Sequence, residues 1–222
     1  MPELPEVETT KRGIEPYLTD KNFKSIEIRN NKLRIPFNVD LLDFITKKKI
    51  IEIQRRAKYI TIEFSNGYSL LIHLGMTGNL RVTKSKNFQK HDHLIFKLSS
   101  GNSLVFNDVR RFGLAQIFKK RDGFYLLDNN GPDPFENAAT NQYFYNKVRT
   151  SSANIKSILL NHKIISGIGN IYASEILFSS CISPLRTGKK ISKPECSKIL
   201  TNSRKILKRA IKAGGTTLND YY

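Results

Sequence analysis

Asn129-Asn130-Gly131-Pro132-Asp133-Pro134 divides this 222-residue sequence into two halves with different hydrophobic periods. Proline lacks the backbone N–H and has a fixed φ, so no regular element runs through this stretch. Upstream of it the apolar residues recur at strand spacing. Phe23, Ile26 and Ile28 alternate imperfectly with polar residues, and the runs Ile50–Phe64 and Tyr68–Leu74 flank Ser65-Asn66-Gly67. Asn-Gly tolerates the positive φ of a tight hairpin. His93–Leu98 and Ser103–Phe106 flank a second turn at Ser99-Ser100-Gly101-Asn102, and Leu114–Phe118 is a further strand. Residues 3–18 read as a leading helix, with Pro5 near its start and Glu3, Glu6 and Glu8 at its positive end. Downstream the period becomes helical: Cys196, Ile199, Leu200, Ile206, Leu207, Ala210 and Ile211 fall on one face, opposite Lys and Arg. That helix is expected to stop at Gly214-Gly215. The reading is an α+β, multi-domain chain, with a β-rich domain over residues 1–130 and a helical domain over 131–222. A groove between two such domains is a natural place for DNA.

The charge balance points the same way. Lys and Arg total 37 against 19 Asp and Glu, a net charge of +18. Such an excess favours a polyanionic partner, nucleic acid above all, although lysine-filled solvated faces produce the same count. No apolar run is long enough for a membrane span, and MPELPEVETT lacks the apolar core of a signal peptide. Cys181 and Cys196 provide neither a disulfide framework nor a Cys-x-x-Cys metal pair. A cytoplasmic chain with reduced thiols, no metal site and no cofactor is expected.

The amino terminus carries the candidate chemistry. Removal of Met1 ahead of a small second residue leaves Pro2 with a free secondary amine. Such an amine can attack a sugar C1′ and form an iminium with no N–H proton to lose, which serves as an electron sink for elimination. Glu3 and Glu6 stand close in sequence to protonate the sugar ring oxygen or shuttle protons. The same Pro-Glu-x-Pro-Glu also suits a helix start, and the residues alone leave both readings open.

Further motifs stand along the chain in one order: Arg55-Arg56-Ala57-Lys58-Tyr59, His73-Leu74-Gly75-Met76-Thr77-Gly78, Asp108-Val109-Arg110-Arg111-Phe112-Gly113, Gly167-Ile168-Gly169-Asn170-Ile171-Tyr172-Ala173 and Gly214-Gly215-Thr216-Thr217-Leu218. With MPELPEVETT, this set resembles bacterial formamidopyrimidine-DNA glycosylase across the whole sequence. The resemblance implies a β-sandwich with a leading helix, followed by a helical domain with a helix–two-turn–helix motif. It implies a bifunctional glycosylase and abasic-site lyase that excises oxidised purines (8-oxoguanine, formamidopyrimidines) from duplex DNA. Pro2 would be the nucleophile, assisted by Glu3 and Glu6, with Lys58 contacting phosphate and sugar from within a strand-like run. Extruding a base leaves a hole in the stack. By resemblance Met76 fills it, Arg110 faces the orphaned cytosine and Phe112 wedges the opposite strand, with the glycines at 75, 78 and 113 favouring exposed loops. Gly169 and Asn170, at a helix start, would receive a phosphate, because glycine allows close backbone approach. His91 and Lys156 would add phosphate contacts. The family is often basic just before Lys156, where this chain has Ser151-Ser152.

The family usually continues past Gly-Gly-Thr-Thr into a Cys₄ zinc finger, and this sequence ends at Tyr222. Weaker DNA binding, β-elimination without complete δ-elimination, and no zinc follow as expectations for a monomer acting on damaged duplex DNA at the nucleoid. Two alternatives are an oxidised-pyrimidine glycosylase of the same superfamily and a non-catalytic binder of lesions or abasic sites. Leu4 favours the purine enzyme over its sister, which typically has glycine there.

Overall fold

Gly67 takes φ +80° at the tip of the Asn66-Gly67 turn, and its N–H donates to the Phe64 carbonyl at 3.0 Å. In this computed structural model, which describes residues 2–215, that turn joins β3 (Tyr59–Phe64) to antiparallel β4 (Tyr68–His73). The run Ile50–Phe64, read above as one strand, is two. β2 (Ile50–Arg56) reverses into β3 through Ala57-Lys58, closed by the pair Arg56↔Tyr59, with Ala57 at φ +55°. Lys58 therefore sits on a hairpin tip and not within a strand. An alanine in the left-handed region has no turn signature, which is why the reversal did not show in the sequence.

The remaining strands are β1 (Phe23–Ile28), β5 (Asn79–Thr83), β6 (Asp92–Leu98), β7 (Ser103–Asn107) and β8 (Leu114–Lys119). They form two four-stranded antiparallel sheets, β1-β6-β7-β5 and β2-β3-β4-β8. Their inner faces meet in one apolar core: Phe23, Leu94, Phe96, Leu104 and Phe106 on one side, Ile53, Ile60, Ile62, Leu70, Ile72 and Ile117 on the other. The Phe23 ring lies 5.6 Å from Phe64 and 4.9 Å from Phe96, tying the sheets together. Burial of each such side chain is worth about 1.5–3 kcal/mol. This is the β-sandwich. Strand β5 was not read from the sequence because only Leu80 is buried along it; it is a short edge strand with no alternation to read.

Helix α1 (Leu4–Leu18) contributes Val7, Ile14 and Leu18 to this core. After the one-turn α2 (Tyr125–Asp128) come α3 (Asn141–Arg149), α4 (Ile155–Leu160), α5 (Asn170–Ser180) and α6 (Lys193–Lys212). Each of α3, α4 and α6 starts at a side-chain cap: Thr140, Asn154 and Ser192. Ser192 and Glu195 form a full capping box, and Arg186 grips Glu195 with both terminal nitrogens, at 2.6 and 2.9 Å. Helices α4 and α5, joined by the turns of residues 161–169, form the helix–two-turn–helix, packed through Ile158, Leu159, Ile168, Ile176 and Leu177. Helix α6 buries Cys196, Ile199, Leu200, Ile206, Leu207 and Ala210, the face read from its spacing.

Contacts divide the chain into two compact units. Pro2 groups with Val7–Leu127, and Glu3–Glu6 group with the chain from Asp128 onward. Leu4 accordingly lies in the core of the helical unit, fully buried. Met1 and residues 216–222 lie outside the described residues, and with them the Thr216-Thr217-Leu218 part of the last motif. No described helix is long and apolar enough to cross a membrane.

Candidate active site and nucleic-acid interface

The Pro-Glu-x-Pro-Glu sequence places two carboxylates three residues apart at the first turn of α1, and each has a separate task. Glu6 turns back on its own helix, where its Oε2 accepts the Glu3 N–H at 2.9 Å. This is half of a capping box. Glu3 instead caps α5. Its Oε2 accepts from Gly169 N–H at 2.7 Å and Tyr172 N–H at 3.3 Å, and its Oε1 accepts from Ile171 N–H at 2.9 Å. The other Glu6 oxygen accepts the Tyr172 hydroxyl at 2.8 Å, and Leu4 N–H donates to the Gly167 carbonyl at 3.0 Å. Glu3 and Glu6 are 2% and 4% exposed, so both carboxylates are locked in this network. Pro2, buried, directly precedes it.

These contacts change the explanation of the glycines. Of the helix-start N–H groups read above as a phosphate cradle, those of Gly169, Ile171 and Tyr172 are taken by the Glu3 carboxyl group of the chain itself. A Cβ on Gly169 would lie 2.4 Å from the Glu3 carboxyl carbon, and one on Gly167 2.6 Å from Leu4 Cδ1. Both glycines make room for the amino terminus. Asn170, the first residue of α5, is exposed.

In the β-sandwich unit, Met76 and Phe112 are 38% and 44% exposed, and Arg110 and Arg111 are exposed with them. Arg110 lies over the Phe112 ring, 4.7 Å from its centroid. Beneath them Asp108 is fully buried. Its Oδ1 accepts from Thr77 Oγ1 at 2.5 Å and from Arg110 N–H at 3.3 Å, and its Oδ2 accepts from Gly113 N–H at 2.8 Å. Arg110 N–H also donates to Thr77 Oγ1 at 3.1 Å. The loops pack backbone to backbone: a Cβ on Gly75 (φ +66°) would stand 2.4 Å from the Gly113 nitrogen.

His91 joins the same assembly through its carbonyl, which accepts the Asp108 N–H at 3.1 Å. Its loop is anchored by Asp92, which accepts from Arg81 twice, from Asn107 at 2.7 Å and from Gln89 N–H at 2.7 Å. Burial raises the Asp92 carboxyl, but these donors outweigh it and hold it below its ordinary value. His73, its ring 4.8 Å from that of Tyr59 and tilted 50° to it, uses Nδ1 to accept the Gly75 N–H at 3.0 Å. Burial, then the charges of Arg34 and Lys58, push its imidazole down to about 3. Lys58 is half-buried on its hairpin tip. Lys156, on α4, lines a cavity of about 500 Å³ with Ser174, Leu177, Phe178, Cys181, Ile182 and Pro184. Among the described residues no group of three His, Cys, Asp or Glu side chains could hold a metal.

Family profiles account for nearly the whole chain. The formamidopyrimidine-DNA glycosylase N-terminal domain matches residues 1–115, and the H2TH domain of the same glycosylase matches residues 130–221. The chain belongs to the formamidopyrimidine-DNA glycosylase family. A formamidopyrimidine-DNA glycosylase of Legionella pneumophila (strain Lens) is 45% identical over 224 residues, covering all of this chain and 81% of the relative. The Lactococcus lactis glycosylase bound non-covalently to DNA with an abasic site superposes with a TM-score of 0.90 at 30% identity, over 99% of this chain and 85% of that one. The same Lactococcus protein in complex with FAPY-dG DNA gives 0.90 at 31% identity, over 97% and 82%. In this member of the formamidopyrimidine-DNA glycosylase family, Asp108, Thr77, His73 and Tyr172 lie inside recognisable motifs. Their part in the site escaped sequence reading because burial and bonding partner, not residue type, single them out.

Proposed function

We propose that this chain excises oxidised purines from duplex DNA and cleaves the resulting abasic site. Family membership makes it a base-excision-repair DNA glycosylase, and lyase activity accords with the family. The observation that carries the reading is the Glu3 network: a chain that needed only a helix start would not join Glu3 to the start of α5, 166 residues away. After loss of Met1, the Pro2 nitrogen attacks C1′ of the damaged nucleotide. The glycosidic bond breaks and the base leaves with a proton; the Pro2 N–H proton is then relayed through Glu3 or Glu6 to O4′, and the C1′–O4′ bond opens to give the iminium. The resulting iminium acidifies C2′; loss of that proton breaks the C3′–O bond and cuts the strand. Lys58 steadies the sugar-phosphate. Met76, Arg110 and Phe112 occupy the space left by the extruded nucleotide, His91 contacts phosphate, and Lys156 and Asn170 of the helical unit add phosphate contacts of their own. The chemistry uses no cofactor, and we assign a cytoplasmic monomer acting at the nucleoid.

Borohydride reduction during incubation with an 8-oxoguanine:cytosine duplex tests this. Hydride delivered to the iminium carbon leaves a stable tertiary amine, so intact mass should show a protein–DNA adduct mapped to Pro2. Pro2→Gly is expected to lower trapping by about two orders of magnitude or more. A protein shown to lack Met1 that forms no adduct would overturn the lyase assignment. A thymine glycol duplex run in parallel separates purine from pyrimidine preference.

A further inference from the structure

One buried carboxylate stands behind every DNA-probing candidate of the β-sandwich unit. Asp108 reaches the Met76 loop through Thr77, the Arg110 backbone directly, the Phe112 loop through Gly113 and the His91 carbonyl through its own N–H. Its carbonyl accepts from His93 Nε2–H at 2.7 Å, which fastens it to β6. We propose that Asp108 is a positioning residue that makes Met76, Arg110 and Phe112 enter the helix as one wedge. The proposal rests on the functional reading above and goes beyond it by assigning coupling to a residue that does not itself face DNA.

The physical case is one of geometry. Filling a hole in stacked DNA requires a thioether, a guanidinium and a ring to arrive together, since each alone leaves part of the void open. The three side chains sit on two loops separated by 31 positions, judged from the Thr77–Asp108 bond. Exposed loops carrying large side chains would otherwise move independently. A fully buried carboxylate accepting several bonds holds both loops at fixed spacing, because releasing any one donor leaves a buried charge under-satisfied. Gly75 packs its backbone directly against Phe112 and Gly113, so the two loops are in contact as well as bridged.

Asp108→Asn keeps the shape and removes the charge, and Thr77→Val removes only the bridging hydroxyl. Three readouts are compared with the unmodified protein. These are excision of 8-oxoguanine from duplex, borohydride trapping on single-stranded abasic DNA, which has no hole to fill, and fluorescence of 2-aminopurine beside an abasic analogue in duplex. Asp108→Asn should lower duplex excision by about a hundredfold and suppress the fluorescence change, as a misplacement of about 1 Å can. Trapping on the single strand should stay within about twofold. Thr77→Val should shift the same two readouts in the same direction by less. Equal loss on both substrates, or unchanged duplex excision, would overturn the coupling role. An unmodified protein that gives the fluorescence change without trapping would instead remove the catalytic reading and leave the wedge assignment standing.

Discussion

Glu3 and Asp108 are both buried carboxylates whose partners are mostly backbone N–H groups, and at each of them a missing Cβ matters as much as the charge. Gly169→Ala would drive a methyl into the Glu3 carboxyl carbon, 2.4 Å away. Trapping on abasic DNA is expected to fall by about a hundredfold, and a variant that traps normally would show that Glu3 need not stay where it is. His73 gives a pH dependence with a defined sign. Its folded value of about 3 lies below the ordinary 6.5, so the unfolded chain binds the proton more readily. Its contribution to stability is complete above about 6.5 and is lost progressively as pH falls toward 3. Urea midpoints should therefore drop between about pH 7.5 and pH 5, and His73→Asn should flatten that drop. At this scale the motifs were legible: Pro2, Glu3, Met76, Arg110, Phe112 and Asn170 all stand in recognisable strings. What could not be read was which neighbour each touches. Gly169 looked like a phosphate cradle and proved to be the seat of Glu3, because a glycine records that something comes close without saying what.

Among the elements, those with a strong local signal formed as read and those without one did not appear. Asn66-Gly67 announces its hairpin, whereas Ala57-Lys58 reverses the chain just as sharply with ordinary residues, and Lys58 was misplaced as a result. Helix α6 combines a regular apolar face, a capping box and a glycine exit, so its face was read correctly. Its cap also has a measurable weight. Ser192→Ala removes the acceptor for Glu195 N–H and should cost about 1 kcal/mol of stability in the helical unit, seen as a lower melting temperature. No change in melting would mean that the Arg186–Glu195 pair holds the turn alone. That pair, with the Ser192 N–H, pulls the Glu195 carboxyl down to about 2, so the helix start keeps its charge through mildly acidic conditions.

For the whole molecule, the charge excess and the change of period at residues 129–134 were visible from composition and spacing. The grouping of Glu3–Glu6 with the helical unit was not, since no local pattern reports a partner more than a hundred residues away. The net charge of +18 bears on affinity. Binding to lesion duplex should weaken steeply with salt, with a log–log slope on the order of −4 if four or five phosphates are neutralised. A slope near zero in a titration would exclude a backbone-dominated interface.

The pairing of Glu3 with Gly169 also sets a timetable. The two are 166 positions apart, and ribosomes add roughly 5–20 residues per second, so roughly 8–30 s separate their emergence. Throughout that interval the amino terminus has no α5 to cap and remains open to the peptidase that would trim Met1. In the proposed mechanism the reagent amine is thus made first and set in place last. A nascent chain aborted before residue 167 would carry the Met76 and Phe112 loops but lack the partners of Glu3, and on the proposed mechanism its amine would be unarmed.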